Sequence, residues 1–287
     1  MLPGTLWPRV IEQTQHALNC GALRSIPTDY EIVEQDGVNF LVRILANLTR
    51  KETATQQQAQ TVTSGEAFNP FLPYEEDLFV ANLSETHVCL LNKFNVVDYH
   101  LLIVTRAFEE QESLLTLQDF LALWTCLAEY DGLAFYNAGK NAGASQRHKH
   151  LQLIPLPLLS GVAIAIETWL ASAEFKGTIA TIPQLPFAHG LMWLSSWAQP
   201  DKAEETIACY HTLLRCLNLR AGSAYSLLAT REWLLMVPRS QESFESISVN
   251  SLGFAGSLVV RDPAQMQRLK DQQPMTILTQ VAVPLDR

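Results

Sequence analysis

An α+β fold, an antiparallel sheet flanked by helices with a C-terminal α+β extension, is predicted by three features of this sequence. Strand-like apolar runs follow one another at hairpin-length gaps. Stretches of helical periodicity separate groups of those runs. Neither GxGxxG nor GxxxxGK[ST] occurs, so a doubly wound dinucleotide fold and a P-loop are not signalled.

Residues 2–22 mix apolar and polar side chains at roughly helical spacing and form the first predicted helix. Asn39 to Leu48 (NFLVRILANL) is apolar with β-branched residues and reads as a strand. Thr49 to Gly65 is polar, rich in Gln and Thr and free of bulky aromatics, the composition of a mobile loop. A functional lid and a plain surface loop are both open there. Asn69 to Tyr74 (NPFLPY) is a Pro-punctuated connection. Three strand-like runs follow, Asp77 to Leu83, His87 to Asn92 and Tyr99 to Arg106, joined as in an antiparallel meander.

Thr116 opens a helix, with Asp119 three residues on as a capping-box variant. Leu117, Phe120, Leu121, Trp124 and Leu127 are its expected apolar face. Leu133 to Asn137 and His148 to Pro155 are two more strands. Pro155, Pro157, Pro183 and Pro186 flank a helix-like stretch in a boundary zone, which divides the chain into residues 1–160 and 161–287. A second long helix is expected over Ala203 to Leu219, then a hairpin of Tyr225 to Leu228 and Trp233 to Val237 around Thr230 to Glu232. Leu101 to Arg106 (LLIVTR) and Leu234 to Arg239 (LLMVPR) echo each other, as two β-strands do by chance.

The bulk numbers narrow the function. With 287 residues, 48% hydrophobic and 17% charged, the chain can bury a core without disulfides or a structural metal. No apolar run approaches the roughly 20 residues needed to cross a bilayer. The start, MLPGTLWPRV, lacks the order of a signal peptide, so a cytoplasmic protein without membrane partners is expected. Five cysteines (Cys20, Cys89, Cys126, Cys209, Cys216) contain no CxxC pair, which argues against a disulfide framework and the usual zinc spacings. A net charge of −9 disfavours nucleic acid as a partner. A small polyanion can still bind where cations and backbone N–H groups concentrate.

The informative stretch is Asn137 to Pro155, NAGKNAGASQRHKHLQLIP. On a strand, His148, His150 and Gln152 leave one face, and Lys149, Leu151 and Leu153 leave the other. The leucine face can pack in a core while the His–His–Gln face lines a cleft. Gly139, Gly143, Ser145 and Gln146 just upstream form a loop where backbone can approach a ligand closely. A neutral imidazole is a good nucleophile toward phosphorus if its other nitrogen donates to a fixed acceptor. An amide such as Gln152 can bind the oxygens on which charge develops. A metal site or two satisfied histidines are the alternatives for HxH, and no Cys, Asp or Glu adjoins it to complete a ligand set.

NxGxxAG followed by HxHxQ resembles the histidine-triad (HIT-like) superfamily, whose usual form is HxHxH. Gln in third place is similar to its transferase branches. His148-Lys149-His150-Leu151-Gln152 reads HKHLQ, the form of the diadenosine tetraphosphate (Ap4A) phosphorylases, or ATP adenylyltransferases; the hexose-1-phosphate uridylyltransferases carry HPHPQ. Leu91-Asn92-Lys93-Phe94, His100 to Thr105 and Asn250 to Gly256 also look like the phosphorylases, over roughly residues 35 to 265.

The resemblance implies His150 as nucleophile on an α-phosphorus, His148 as its orienting partner and Gln152 on phosphate oxygens. It places Ser145 and Gln146 with Gln152 on those oxygens and Asn137, Gly143 and Ala144 at the nucleotide, with Asn250, Ser251 and Leu252 reaching it from the C-terminal part and Ser257 and Arg261 nearby as further binding residues. Asn92, Lys93 and Lys51 would bind phosphate. The implied reaction is reversible phosphorolysis of Ap4A to ATP and ADP. No tightly bound cofactor is implied, only a divalent cation (Mg2+ or Mn2+) accompanying the nucleotide, in a monomer or homodimer. A dinucleoside polyphosphate hydrolase, a uridylyltransferase and an inactive nucleotide sensor are the competing readings.

Overall fold

The computed structural model describes residues 3–45, 69–158, 164–196 and 201–285. Lys51 and the expected loop 49–65 lie outside the described residues. The chain opens with helix α1 (Leu6–Cys20), ended by Gly21 in the left-handed region at φ 79°. Strands β1 (Thr28–Gln35) and β2 (Val38–Leu45) form an antiparallel hairpin. Strands β3 (Phe79–Asn82), β4 (His87–Leu91) and β5 (Leu101–Thr105) are the expected meander. Helix α2 (Leu117–Leu127) begins with a complete capping box: the Thr116 side chain accepts from Asp119 N, and Asp119 accepts from Thr116 N. Strands β6 (Gly132–Ala138) and β7 (His150–Pro155) follow.

The second half begins with the short helix α3 (Glu167–Leu170) and strands β8 (Glu174–Lys176), β9 (Ile179–Thr181) and β10 (Gly190–Trp193). Helix α4 (Lys202–Cys216) and the hairpin β11 (Tyr225–Ala229) and β12 (Trp233–Pro238) match the sequence expectations. The chain closes with the ribbon β13 (Ser243–Phe244) and β14 (Ile247–Ser248), a 3-10 turn at Ser251–Ala255, strand β15 (Ser257–Val260), and helices α5 (Pro263–Gln272) and α6 (Pro274–Val281).

Ten strands join in one antiparallel sheet, in the order β3-β4-β5-β7-β6-β11-β12-β10-β9-β8. Read outward from the β6–β11 seam, that order is a palindrome. Each half is three strands, a helix and two strands, and the halves meet back to back. In this arrangement β5 corresponds to β10 and β7 to β12. The echo between Leu101–Arg106 and Leu234–Arg239 joins non-equivalent strands, so it marks no repeat.

One face of the sheet carries Leu101, Ile103, Leu151, Leu153, Tyr136, Leu227 and Met236 against α1, α2 and α4. Trp124 Nε1 donates to Thr206 Oγ1 at 2.8 Å, which locks α2 to α4. Packing on two sides changes the expected face of α2. Ala122, Leu123 and Cys126 are buried with Phe120, Trp124 and Leu127, whereas Leu121 is exposed on the outer stripe. The other sheet face, over β11 and β12, is covered by β2, the 3-10 turn, β15, α5 and α6. Over β7 that face carries His150 and Gln152.

Lys149 points to the helical side and is fully buried. Its Nζ donates to Asp119 Oδ2 (2.8 Å), Glu109 Oε2 (3.0 Å) and the Leu114 carbonyl (3.1 Å). Burial would raise the Asp119 pKa, but the His87 hydrogen bond and the Lys149 charge outweigh it and hold the carboxyl near about 2. Removing one member of a buried pair strands the other charge. Lys149→Met is therefore expected to cost about 3–5 kcal/mol in urea unfolding. A loss below about 1 kcal/mol, the value of an exposed pair, would contradict this account.

Candidate functional site

His150 is the first residue of β7, between β5 (Val104) and β6. His148 lies two residues earlier, in an isolated bridge with Glu110. Both imidazoles pack against the Phe71 ring, with centroids 5.6 Å (His148) and 5.3 Å (His150) away, so both leave the same face. Leu151 and Leu153 leave the opposite face into the core, as the alternation requires.

Each imidazole is fixed in a definite way. His150 Nδ1 lies 2.7 Å from the His148 carbonyl oxygen, to which it can only donate. Its Nε2 is then an unprotonated nitrogen, with no hydrogen-bonding partner among the described residues. Burial lowers the His150 pKa to about 4, against a usual 6.5. His148 thus orients the His150 ring through its backbone carbonyl. Its own ring is engaged elsewhere: Nε2 donates to the Thr105 carbonyl at 2.8 Å, and Nδ1 accepts from Asn69 Nδ2 at 3.0 Å.

Gln152 is oriented by a second chain of hydrogen bonds. Asn92 Nδ2 donates to His100 Nδ1 (3.1 Å), which leaves His100 Nε2 to donate to Gln152 Oε1 (2.9 Å). Burial pushes His100 down to about 4, so it stays neutral in this relay. With Oε1 engaged, the Gln152 amide N–H groups are the part free to meet an anion. Asn92 therefore acts in this structure through His100. Lys93 pairs with Glu75.

The other wall comes from β6 and the C-terminal part. Asn137 Oδ1 accepts from Ser251 N (2.8 Å) and Ser251 Oγ (2.7 Å), and Asn250 Oδ1 caps the turn by accepting from Leu252 N. Gly143 has φ +90°, and a Cβ there would lie 2.9 Å from the Val249 carbonyl oxygen and 3.0 Å from Asn250 Cα. Only glycine lets the loop from Gly139 to Gln146 sit this close to the Asn250 turn. Ala144 and Gln146 are partly exposed and Ser145 is exposed. Ser257 opens the strand that follows the Ser251–Ala255 turn, and Arg261 lies just beyond that strand. β15 pairs in parallel with β2, Arg261 is exposed, and no described hydrogen bond ties either side chain to the Asn137–Ser251 cluster.

Besides His100, sequence reasoning missed two residues that hold the site. Arg239 is buried and bonds to carbonyl oxygens and a hydroxyl. Nε donates to Val281 O, Nη1 to Ala142 O and Ser226 Oγ, and Nη2 to Val249 O (2.8 Å) and Gln241 O. It joins the residue before Gly143 to the residue before Asn250. Burial lowers its pKa to about 10, which still leaves it cationic at neutral pH. Gln111, also buried, bonds to the His150 backbone. An arginine at the end of an apolar strand and a glutamine in a loop carry no local signal of such roles. Among the described residues, the only close group of three potential metal ligands is His16, Cys20 and Asp77, on the surface beside α1.

The depressed His150 pKa has a sign that can be checked. Between about 6.5 and about 4 the unfolded chain binds a proton that the folded one refuses, so folding stability declines as pH falls through that window. Nitrogen-15 NMR of histidine-labelled protein is expected to show His150 as the neutral Nδ1–H tautomer, unchanged from pH 7 to pH 5. A His150 titration midpoint near the usual 6.5 would refute this.

Known proteins are similar to this chain in sequence and in fold. Residues 1–172 match the family model described as the Ap4A phosphorylase N-terminal domain, and residues 183–284 match that of the ATP adenylyltransferase C-terminal domain. The chain is 28% identical over 251 residues to diadenosine 5',5'''-P1,P4-tetraphosphate phosphorylase 2 of Saccharomyces cerevisiae, covering 76% of each protein. It is 24% identical over 301 residues to Protein APA1 of the same yeast, covering 94% of this chain and 91% of that one. The solved structure of yeast Ap4A phosphorylase Apa2 in complex with Ap4A shares the fold, with a TM-score of 0.84 over 100% of both chains at 23% identity.

Proposed function

The chain belongs to the Ap4A phosphorylase family, and on that premise we propose that it is an ATP adenylyltransferase that cleaves Ap4A with phosphate, reversibly, to ATP and ADP through adenylyl-His150. The observation that carries this reading is the state of His150. Its ring is neutral, its Nδ1–H is committed to the His148 carbonyl, and its Nε2 lone pair has no partner among the described residues, on the sheet face it shares with Gln152.

Nε2 attacks one α-phosphorus. A P–N bond forms, the bond from that phosphorus to the bridging oxygen breaks, and the oxygen leaves with the electron pair as part of ATP. An oxygen of inorganic phosphate then attacks the same phosphorus. The P–N bond breaks, its electron pair returns to Nε2, and ADP leaves. Splitting the transfer this way gives ping-pong kinetics. The imidazole carries positive charge while adenylylated, and the Nδ1–H bond to the His148 carbonyl becomes charge-assisted.

Other residues divide the binding. Gln152 donates to the oxygens of the reacting phosphorus. Asn137, Asn250, Ser251 and Leu252, with the loop from Gly143 to Gln146, hold the transferred nucleotide. Lys93 exchanges Glu75 for phosphate, Lys51 is a second candidate cation, and a divalent cation accompanies the polyphosphate as part of the substrate. We assign no contact to Ser257 or Arg261. The protein is proposed to act in the cytoplasm, as a monomer or homodimer, without nucleic-acid or membrane partners. Among the described residues no helix is long and apolar enough to cross a membrane.

Gln152 bears on the acceptor. A histidine in its place can gain and lose a proton near neutral pH, whereas an amide cannot and gives little help to an attacking water. Inorganic phosphate arrives already anionic. With Ap4A and millimolar phosphate the products are expected to be ATP and ADP, resolved by chromatography. AMP in place of ADP would identify a hydrolase. His150→Ala should lose roughly four orders of magnitude in turnover while still binding AMP, because the ring acts mainly in the transition state. Near-normal turnover in that variant would rule the intermediate out.

A further inference from the structure

The ladder between β6 and β7 stops one rung short of the site. Its last pairs are Ala134↔Leu153 and Phe135↔Gln152. Extended by two residues, the same register would set Asn137 opposite His150. In an antiparallel sheet such a pair, with its backbone groups turned toward each other, exchanges two N–H···O bonds and holds its Cα atoms about 5.5 Å apart. Those bonds are absent from the structure at this rung. The side chain of Gln111 occupies the place.

Gln111 is 2% exposed, and both ends of its carboxamide are engaged. Nε2 donates to the Asn137 carbonyl (3.0 Å) and the His150 carbonyl (3.1 Å), and Oε1 accepts from His150 N (2.8 Å). One side-chain amide thus substitutes for a backbone rung and widens it by the thickness of an amide. Gln111 is itself fixed. Its N–H donates to the Arg147 carbonyl at 2.6 Å, and its carbonyl accepts from the Tyr136 hydroxyl. Lys149 N donates to the Glu109 carbonyl at 2.8 Å, so the segment carrying Gln111 is bound to the strand carrying both histidines.

The two residues on either side of this rung have different tasks in the reaction proposed above, on which this inference rests. Asn137 and its partner Ser251 belong to the wall that holds the transferred nucleotide. His150 supplies the attacking nitrogen. The distance between them decides whether the bound α-phosphorus sits within reach of Nε2. We infer that Gln111 is a positioning residue for adenylyl transfer, a fixed spacer that sets the gap between the nucleotide-holding strand and the nucleophile. Both its amide donors are taken within the protein and the residue is buried away from the solvent, so it does not serve as a substrate contact. An apolar residue would leave the His150 N–H, its carbonyl and the Asn137 carbonyl buried and unpaired, and the strands would shift to re-pair them.

The test separates binding from transfer. In wild type and Gln111→Met, the rate of adenylyl-His150 formation from Ap4A is measured in a single turnover without phosphate, and AMP affinity by calorimetry. AMP binding draws on the Asn137 wall and on Gln152 but not on the aim of Nε2, so its affinity is expected to stay within about threefold, while adenylylation slows about 100-fold, the effect of roughly an ångström of misplacement. If Gln111→Met does not fold by circular dichroism, Gln111→Asn takes its place, an amide one methylene too short to span the gap, with the same expectation. A folded variant that adenylylates within threefold of wild type overturns the inference. So does a slowing matched by an equal loss of AMP affinity, the mark of general disruption. Failure of the wild type to form adenylyl-His150 would instead overturn the proposed reaction.

Discussion

The hydrogen bond from His150 Nδ1 to the carbonyl of His148 governs the chemistry available here. It chooses the tautomer, aims Nε2 and gives the ring an acceptor for the charge that grows as it attacks. A residue two positions upstream can serve only if the intervening peptide is rigid. Lys149 provides that rigidity. Its N–H and carbonyl bond to Glu109 and Thr105, and its ammonium is anchored between Asp119 and Glu109 on the far side of the sheet. The cationic residue of HKHLQ is thus the structural counterpart of the histidines it separates.

The electrostatic plan follows from the same strand. The protein is acidic overall, at −9, yet must admit two polyanions in succession. The histidines do not supply positive charge, since burial keeps His100 and His150 neutral. The buried cation Arg239 is hydrogen-bonded to backbone carbonyls and the Ser226 hydroxyl, with the Glu242 carboxylate acting on it only through space, so its field is only partly offset. Lys93 is held by Glu75, an exchangeable partner at a half-exposed position. Attraction thus comes from a few placed cations against a repulsive background, which limits the site to small anions.

The main strands and the reactive motif were legible because local rules fix them. Alternation placed His148, His150 and Gln152 opposite Leu151 and Leu153, and the Thr116–Asp119 spacing gave the start of α2. β1, whose only buried residue is Val33, carries little apolar signal and was missed; it is held largely by pairing with β2. β8 to β10 were missed because they are three or four residues long and lie beside prolines that dominate the local reading. His100, Gln111 and Arg239 were unreadable as site residues for a different reason. Each acts through a partner tens of residues away, and no spacing rule joins Gln111 to His150 or Arg239 to Ala142. Leu121 was misread because its helix is buried on two sides, where a single amphipathic stripe is the wrong template.

The seam at the centre of the palindromic sheet bears on how the enzyme comes into being. The reactive strand is complete by Pro155, early in synthesis, while the partner of Asn137 arrives 114 residues later as Ser251. A ribosome-bound or prematurely terminated chain therefore carries its nucleophile without the wall that presents a nucleotide to it. β6 also remains an unpaired edge until Tyr225–Ala229 emerges. The Asn137–Ser251 bonds therefore close only when the last third of the chain has been made. The cost is a nascent chain whose central strand waits, exposed, for a distant partner.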